Sequence, residues 1–247
     1  MQLEGRVAVV TGGGAETGRA IALRLAAAGA LVVVADIDLA AAEGTVKAIE
    51  AQSGHAAAIR ADVTDDGEVR RMIEFAGRDG GGPHVLVNNA GGWGEANYLE
   101  ATPEQWSATL DLNLRGPMLA TQLALAPMRA AGGGVVVNIA STAGIATDAY
   151  ASPEYGAAKA GLIRFTTSLA DLHERMNVRV NCIVPDWIAT DRARGELEQM
   201  TTAERAAAGP LVPMADVAAA VIAFVSDEQL AGRVVLLRGG RPRRFLT

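Results

Sequence analysis

Seven short runs of β-branched and small apolar residues, separated by alanine-rich stretches of helical length, constrain this chain more than any other feature. The runs are Arg6 to Val10, Leu31 to Ala35, Ala56 to Ala61, His84 to Asn88, Gly134 to Ala140, Asn177 to Val184 and Arg233 to Leu237. Strands this apolar must be covered on both faces, so the alternation predicts an α/β fold with a doubly wound sheet of about seven parallel strands. Right-handed crossovers between them are expected. Helices are expected near Gly18 to Ala28, Leu39 to Gln52, Asp65 to Ala76, Pro103 to Ala131, Pro153 to Arg175 and Met214 to Ser226. No linker breaks the series, and 247 residues, half of them hydrophobic, suit a single domain spanning 1–247. Residues 186–213 are expected to form a lid. Most of that stretch, from Asp191 to Pro213, is polar, Ala-rich and without a clear element.

Composition excludes several functions. A net charge of −6 argues against a nucleic-acid surface, although Arg238, Arg241, Arg243 and Arg244 make the tail locally basic. That tail is expected to be solvated or to contact another subunit. Cys182 is the one cysteine, so no disulfide forms within the chain, and its apolar run suggests an inert strand residue. No leader or membrane span is read, and a soluble, cytoplasmic protein is expected. His55, His84 and His173 have no ligand spacing, so no metal site is expected.

The first run leads into Thr11-Gly12-Gly13-Gly14-Ala15-Glu16-Thr17-Gly18 and then a helix. Glycines there allow a tight turn and bring backbone N–H groups to a pyrophosphate at the helix N-terminus, the arrangement of a Rossmann-type fold. The second run ends in Asp36, whose carboxylate suits a ribose 2′-hydroxyl and repels a 2′-phosphate. Ala15 and Ile37 supply no cation for such a phosphate. NAD is therefore expected over NADP.

A second constellation carries proton chemistry. Tyr155 and Lys159, four apart on a predicted helix, share one face. An ammonium beside a phenol favours its ionised form and turns it into a usable base. Ser152-Pro153 reads as an N-cap followed by proline at the first helical position, which puts Tyr155 in the first turn, where the helix dipole also favours phenolate. Ser141 stands fourteen residues upstream.

With these motifs in register, the whole chain resembles the classical short-chain dehydrogenase/reductase family. Thr11-Gly12 through Gly18, Asp62-Val63, Asn88-Asn89-Ala90-Gly91, Asn113, Ser141, Tyr155 and Lys159 match its motifs. The resemblance implies cofactor contacts from Gly12, Gly14, Ala15, Thr17, Gly18, Asp36, Asp62, Val63, Asn89, Ala90, Gly91, Tyr155, Lys159, Pro185, Ile188 and Thr190. It implies a catalytic tetrad of Asn113, Ser141, Tyr155 and Lys159. Tyr155 would exchange a proton with the oxygen of a small-molecule alcohol or ketone, and Ser141 would hydrogen-bond that oxygen. Lys159 would tune the tyrosine and hold the nicotinamide ribose, while Asn113 would hold a water leading to solvent. Pro117 has no N–H to donate to the Asn113 carbonyl, which is thereby left open to that water. The family also pairs the helices that begin here near Pro103 and Pro153, so a homotetramer or homodimer is implied.

Two residues depart from the family pattern. Glu16 replaces the second motif glycine, and a carboxylate roughly 6 Å from a phosphate charge costs about 3 kcal/mol at an effective dielectric near 20. Turning outward into water erases most of that, so weaker NAD binding than usual is expected. Asp186 follows Pro185 where the family has glycine, which puts the loop geometry in question. Trp93, Trp187, Tyr150 and Asp148 lie beside matched motifs and are candidates to line the substrate pocket, whereas Trp106 and Met128 suit core or interface. The resulting expectation is NAD-dependent interconversion of a secondary alcohol and a ketone. Alternatives are a 3-oxoacyl thioester reductase, which would commonly use NADP, and a degenerate nucleotide sensor or scaffold.

Overall fold

The computed structural model describes residues 1–78, 82–94, 98–147 and 152–247. In chain order the elements are β1 (Val7–Thr11), α1 (Glu16–Ala27), β2 (Leu31–Asp36), α2 (Leu39–Glu50), β3 (His55–Arg60), α3 (Asp66–Gly77) and β4 (Val85–Asn88). They continue with α4 (Pro103–Leu110), α5 (Gly116–Ala130), β5 (Gly134–Ile139), α6 (Pro153–Ser168), α7 (Leu172–Met176) and β6 (Val178–Pro185). The chain ends with α8 (Asp191–Gln199), α9 (Thr202–Ala208), α10 (Met214–Ser226), β7 (Val234–Leu237) and β8 (Arg244–Phe245). One sheet runs in the order β3-β2-β1-β4-β5-β6-β7-β8. The expected seven strands are parallel, and β8 adds an antiparallel edge in which Arg244 pairs with Leu236. Part of the basic tail is thus sheet, although its side chains stay exposed.

Successive β1 residues point to opposite faces, as strand geometry requires. Ala8 and Val10 pack with Ile21, Leu25 and Phe224 on one side, while Val7 and Val9 pack with Val69, Met72 and Met128 on the other. Both faces are buried, which is why the strands read as continuous apolar runs rather than alternating ones. Cys182 is fully buried on β6, and burial pushes its thiol up to about 12, in keeping with an inert role.

Two predicted helices changed for local reasons, and the stretch without a predicted element acquired two short helices. The helix expected from Pro103 to Ala131 is interrupted by a wider π-turn over Asp111–Arg115, where Gly116 N–H reaches the Asp111 carbonyl five residues back. Pro117 offers no N–H to Asn113 and its ring crowds that carbonyl, so a shift of register is the expected response. The helix expected to run to Arg175 stops at Ser168. Thr166, Thr167 and Ser168 there turn their hydroxyls back onto the Leu162 and Arg164 carbonyls, which weakens helix continuation. In the uncommitted stretch, Thr190 and Thr201 each accept an N–H at a helix start and define α8 and α9.

Candidate active site

The parallel strands all point their C-terminal ends at one cleft of about 740 Å³, the usual ligand position in such sheets. It runs from Asp36 and Asp62 to Ser141 and Tyr155, and Thr190 on the lid also lines it. Gly12, Ala15, Thr17, Gly18, Val63, Asn89, Ala90, Gly91, Lys159, Pro185 and Ile188 complete its wall from the predicted set. Gly14 and Asn113 stand behind that wall. Gly14 donates its N–H to Asp36 Oδ2 at 2.8 Å and accepts from Thr45 Oγ1 at 3.0 Å, so it ties β2 and α2 to the loop. Trp93 and Trp187 line the cleft as expected, Met128 is core, and Asp148 and Tyr150 fall outside the described residues.

At one end the loop is shaped for an anion. A Cβ at Gly18 would overlap the Gly12 carbonyl oxygen, so only glycine lets α1 start this close to β1. Ala15 holds the N-cap position of α1 without any side chain to accept from the first-turn N–H groups, which suits an anion at that point. Asn89 braces the loop by donating to the Thr11 and Gly12 carbonyls at 3.0 and 3.2 Å. Thr11 Oγ1 in turn accepts from the Asn89 and Ala90 N–H groups. Asp36 also accepts from Asp38 N–H, and Asp62 accepts twice from Thr64, so both carboxylates are held in fixed poses at the far end. A dinucleotide fits this cradle.

Glu16 lies at the start of α1 with φ of 45°, the left-handed region that glycine enters freely and other residues enter at a cost. Its exposed carboxylate crosses to the lid, where Oε1 accepts the Asp191 N–H of α8 at 2.7 Å. Asp186 needs no such conformation. Its Oδ1 accepts from Thr142 Oγ1 and Trp187 N–H, and Oδ2 lies 3.8 Å from Arg238 Nε. The loop after β6 is therefore built around aspartate. The segment carrying α8 and α9 is stitched at its base by a bridge between Ile188 and Val212, with Ala189 N–H donating to the Val212 carbonyl and Val212 N–H to that of Trp187.

At the other end the polar groups are buried. Tyr155 sits in the first turn of α6, which begins with Pro153 as expected, but the Ser152 side chain makes no cap hydrogen bond and only its carbonyl serves the turn. Lys159 Nζ donates to the Ile139 carbonyl at 3.0 Å and lies 5.5 Å from the Tyr155 ring centre. Burial lowers its pKa from 10.5 to about 8, partly offset by the neighbouring Cys182. Ser141 Oγ accepts from Ala143 N–H at the start of a short 3-10 turn. Asn113 is fully buried, accepts from Gly92 N–H, and donates to the Gly92 and Thr109 carbonyls at 2.6 and 2.9 Å. A Cβ at Gly91 would lie 2.8 Å from Asn113 Oδ1 and 3.1 Å from Lys159 Nζ. Both groups therefore close on the same bare backbone.

Two supporting sets of contacts join residues that the sequence named only singly. Asn88 donates to Asn138 Oδ1 at 2.8 Å, and Asn138 donates to Thr166 Oγ1 at 2.9 Å, a buried chain that ties β4, β5 and α6 together beneath the site. Trp93 packs on Tyr155 with ring centres 5.0 Å apart, and Arg192 of the lid stacks over Trp93 at 4.2 Å. Among the described residues no cluster of metal-ligating side chains occurs, and no helix is long and apolar enough to cross a membrane.

Residues 6–201 match the family model for short chain dehydrogenases. The chain belongs to that family. Among its relatives, a cyclohexanol dehydrogenase of Acinetobacter sp. is 35% identical, with 90% of this chain and 88% of the relative covered. A 3-oxoacyl-acyl-carrier-protein reductase of Thermotoga maritima is 32% identical over 97% of this chain and 99% of its own. A solved short-chain dehydrogenase/reductase from Burkholderia xenovorans superposes with a TM-score of 0.87 at 32% identity, covering 97% of both chains. As a short-chain dehydrogenase the protein is an oxidoreductase of a nucleotide-binding family, and its relatives span both alcohols and acyl thioesters.

Proposed function

We propose that this short-chain dehydrogenase interconverts a secondary alcohol and a ketone with NAD(H), and that Tyr155 is its acid/base. The observation that carries this reading is the shared cleft: Ser141, Tyr155 and Lys159 line the same space as the glycine loop and Asp36. Bound there, a nicotinamide cofactor supplies the hydride acceptor or donor. Tyr155 passes a proton to or from the substrate oxygen, and Ser141 donates a hydrogen bond to it as charge develops. Lys159 commits one N–H to Ile139 and keeps two others, which suit ribose hydroxyls. Asn113 acts as a positioning residue that braces Gly92 and holds a relay water on its carbonyl.

Asp36 supports NAD over NADP, because a 2′-phosphate would meet a fixed carboxylate without a compensating cation in the cleft wall beside it. The reading takes residues 1–247 as one domain, with residues 186–213 as its lid, working in the cytoplasm as a homotetramer or homodimer. Calorimetric titration with each cofactor tests it. NAD is expected to bind at least about tenfold tighter than NADP, and no binding of either would favour a scaffold role. A screen of secondary alcohols and ketones, followed by absorbance of the reduced cofactor, tests the reaction itself. Exclusive turnover of 3-oxoacyl thioesters would favour the reductase reading, which similarity to the Thermotoga maritima enzyme supports.

A further inference from the structure

Apart from Lys159, Arg192 is the one cation lining the cleft among the described residues. Four of the five anionic side chains of the wall are held by other parts of the fold: Asp36 by Gly14 and Asp38, Asp62 by Thr64, Glu16 by Asp191 N–H, and Asp186 by Thr142 and Trp187, while the fifth, Glu196, pairs with Arg192. Lys159 is spent at the reacting centre. Arg192 is placed differently. Its guanidinium carbon lies 4.2 Å from the Trp93 ring centre, and the Trp93 ring also packs on Tyr155, so one indole separates it from the phenol. A cation held over a ring face keeps the N–H edge of its guanidinium for hydrogen bonding. Nε donates to Glu196 Oε1 at 2.8 Å one turn further along α8, and the two terminal amino groups have no protein partner among the described residues. The side chain is about half exposed, at 49%, so a ligand can reach that edge.

We infer that Arg192 recognises a carboxylate on the substrate, making this enzyme selective for hydroxy and keto acids over neutral alcohols. The inference rests on the oxidoreductase reading above and names its substrate class. A planar guanidinium edge matches a carboxylate in bidentate fashion. The acidic wall disfavours highly charged substrates: five carboxylates share it with two cations, so the several phosphates of a coenzyme thioester would be repelled far more than one carboxylate held by the guanidinium. Because Trp93 intervenes, the acid group sits at the β position or beyond, and a 2-hydroxy acid is too short to bridge phenol and guanidinium.

Two measurements on the full-length protein test this. The first needs no turnover: butyrate and butyramide, alike in shape and different in charge, are titrated while tryptophan fluorescence is followed, with and without NADH. Butyrate is expected to bind about tenfold tighter than butyramide. Arg192→Met abolishes that preference, Arg192→Lys retains part of it, and Glu196→Gln, which removes the competing carboxylate, strengthens it. Equal response to both probes in the wild-type protein overturns the inference. The second compares 3-hydroxybutyrate with its methyl ester as substrates. Arg192→Met is expected to raise KM for the acid by about tenfold or more while kcat changes little, and an equal effect on acid and ester would make Arg192 a packing residue of the lid. If Arg192→Met weakens NADH binding by the factor it costs the acid, the guanidinium serves the cofactor phosphates and the inference falls. Discrimination between butyrate and butyramide in a protein that turns over no alcohol leaves the carboxylate site standing and removes the oxidoreductase reading instead.

Discussion

At the reacting end of the cleft, Lys159 and Asn113 are buried and held by the carbonyls of Ile139, Gly92 and Thr109. At the glycine-loop end, the bond from Asp191 N–H of α8 to Glu16 is exposed and links residues remote in sequence. The first arrangement is over-determined: several elements converge on each side chain, so few alternatives exist. The second depends on one side chain in an unfavourable backbone conformation. In the proposed reaction, rigidity falls where a proton would move between fixed atoms, and adjustability where a large cofactor would enter and leave.

Removing the phenol oxygen is the strongest test of the rigid end. Tyr155→Phe keeps the ring against Trp93 and removes the hydroxyl proposed to carry the proton. Turnover with the best alcohol from the screen is expected to fall by about a hundredfold to ten-thousandfold. NADH affinity, followed by fluorescence, is expected to change little. Activity surviving at wild-type level would mean that the buried constellation is structural.

Lys159 offers a test with a different readout, stability. Burial holds its pKa at about 8, below the 10.5 of an unfolded lysine. Below pH 8 the amine is protonated in both states, and the folded chain carries the full cost of a buried cation, about 3 kcal/mol. Between pH 8 and 10.5 the folded chain releases the proton while the unfolded chain keeps it, so this group makes stability rise with pH. Lys159→Met removes the cost. The variant is therefore expected to be inactive yet more stable than wild type at pH 7 by up to about 3 kcal/mol in urea denaturation, with the gap closing toward pH 10.5. A destabilised variant would show that the Ile139 hydrogen bond outweighs desolvation, and a gap constant with pH would show that the amine titrates alike in the folded and unfolded chains.

What could be read from the sequence divides along the same line. The strands showed because burial on both faces leaves an unbroken apolar run, and Tyr155 and Lys159 could be read as neighbours because four residues separate them on one helix. Pro117, four residues after Asn113, marked that carbonyl as lacking a donor, yet the π-turn itself required knowing how the helix recovers its register. Contacts between loops left no periodic trace. Neither Arg192 over Trp93 nor Glu16 against Asp191 has a local pattern, because each depends on how the lid docks. Asp186 looked like a defect only because its partners, Thr142 and Arg238, lie on other segments.

Glu16 carries the smallest expected effect and the finest distinction. A carboxylate buried near the pyrophosphate would cost about a hundredfold in NAD affinity. An exposed one bonded to the α8 N-terminus faces screening by water and salt, together with partial compensation from the helix dipole. Glu16→Gly is therefore expected to tighten NAD binding by tenfold or less, measured by calorimetry. It also relieves a left-handed φ at a gain of about 1 kcal/mol, less the extra chain entropy of glycine, so the melting temperature should rise by roughly 2 °C at most. Glu16→Gln separates the causes. Its amide oxygen can still accept from Asp191 and its φ remains strained, but the charge is gone. If Gln tightens NAD as much as Gly does, electrostatics sets the affinity. If only Gly does, the conformation of the loop sets it, and unchanged affinity in both would mean that the second motif glycine is dispensable once the lid supplies a partner.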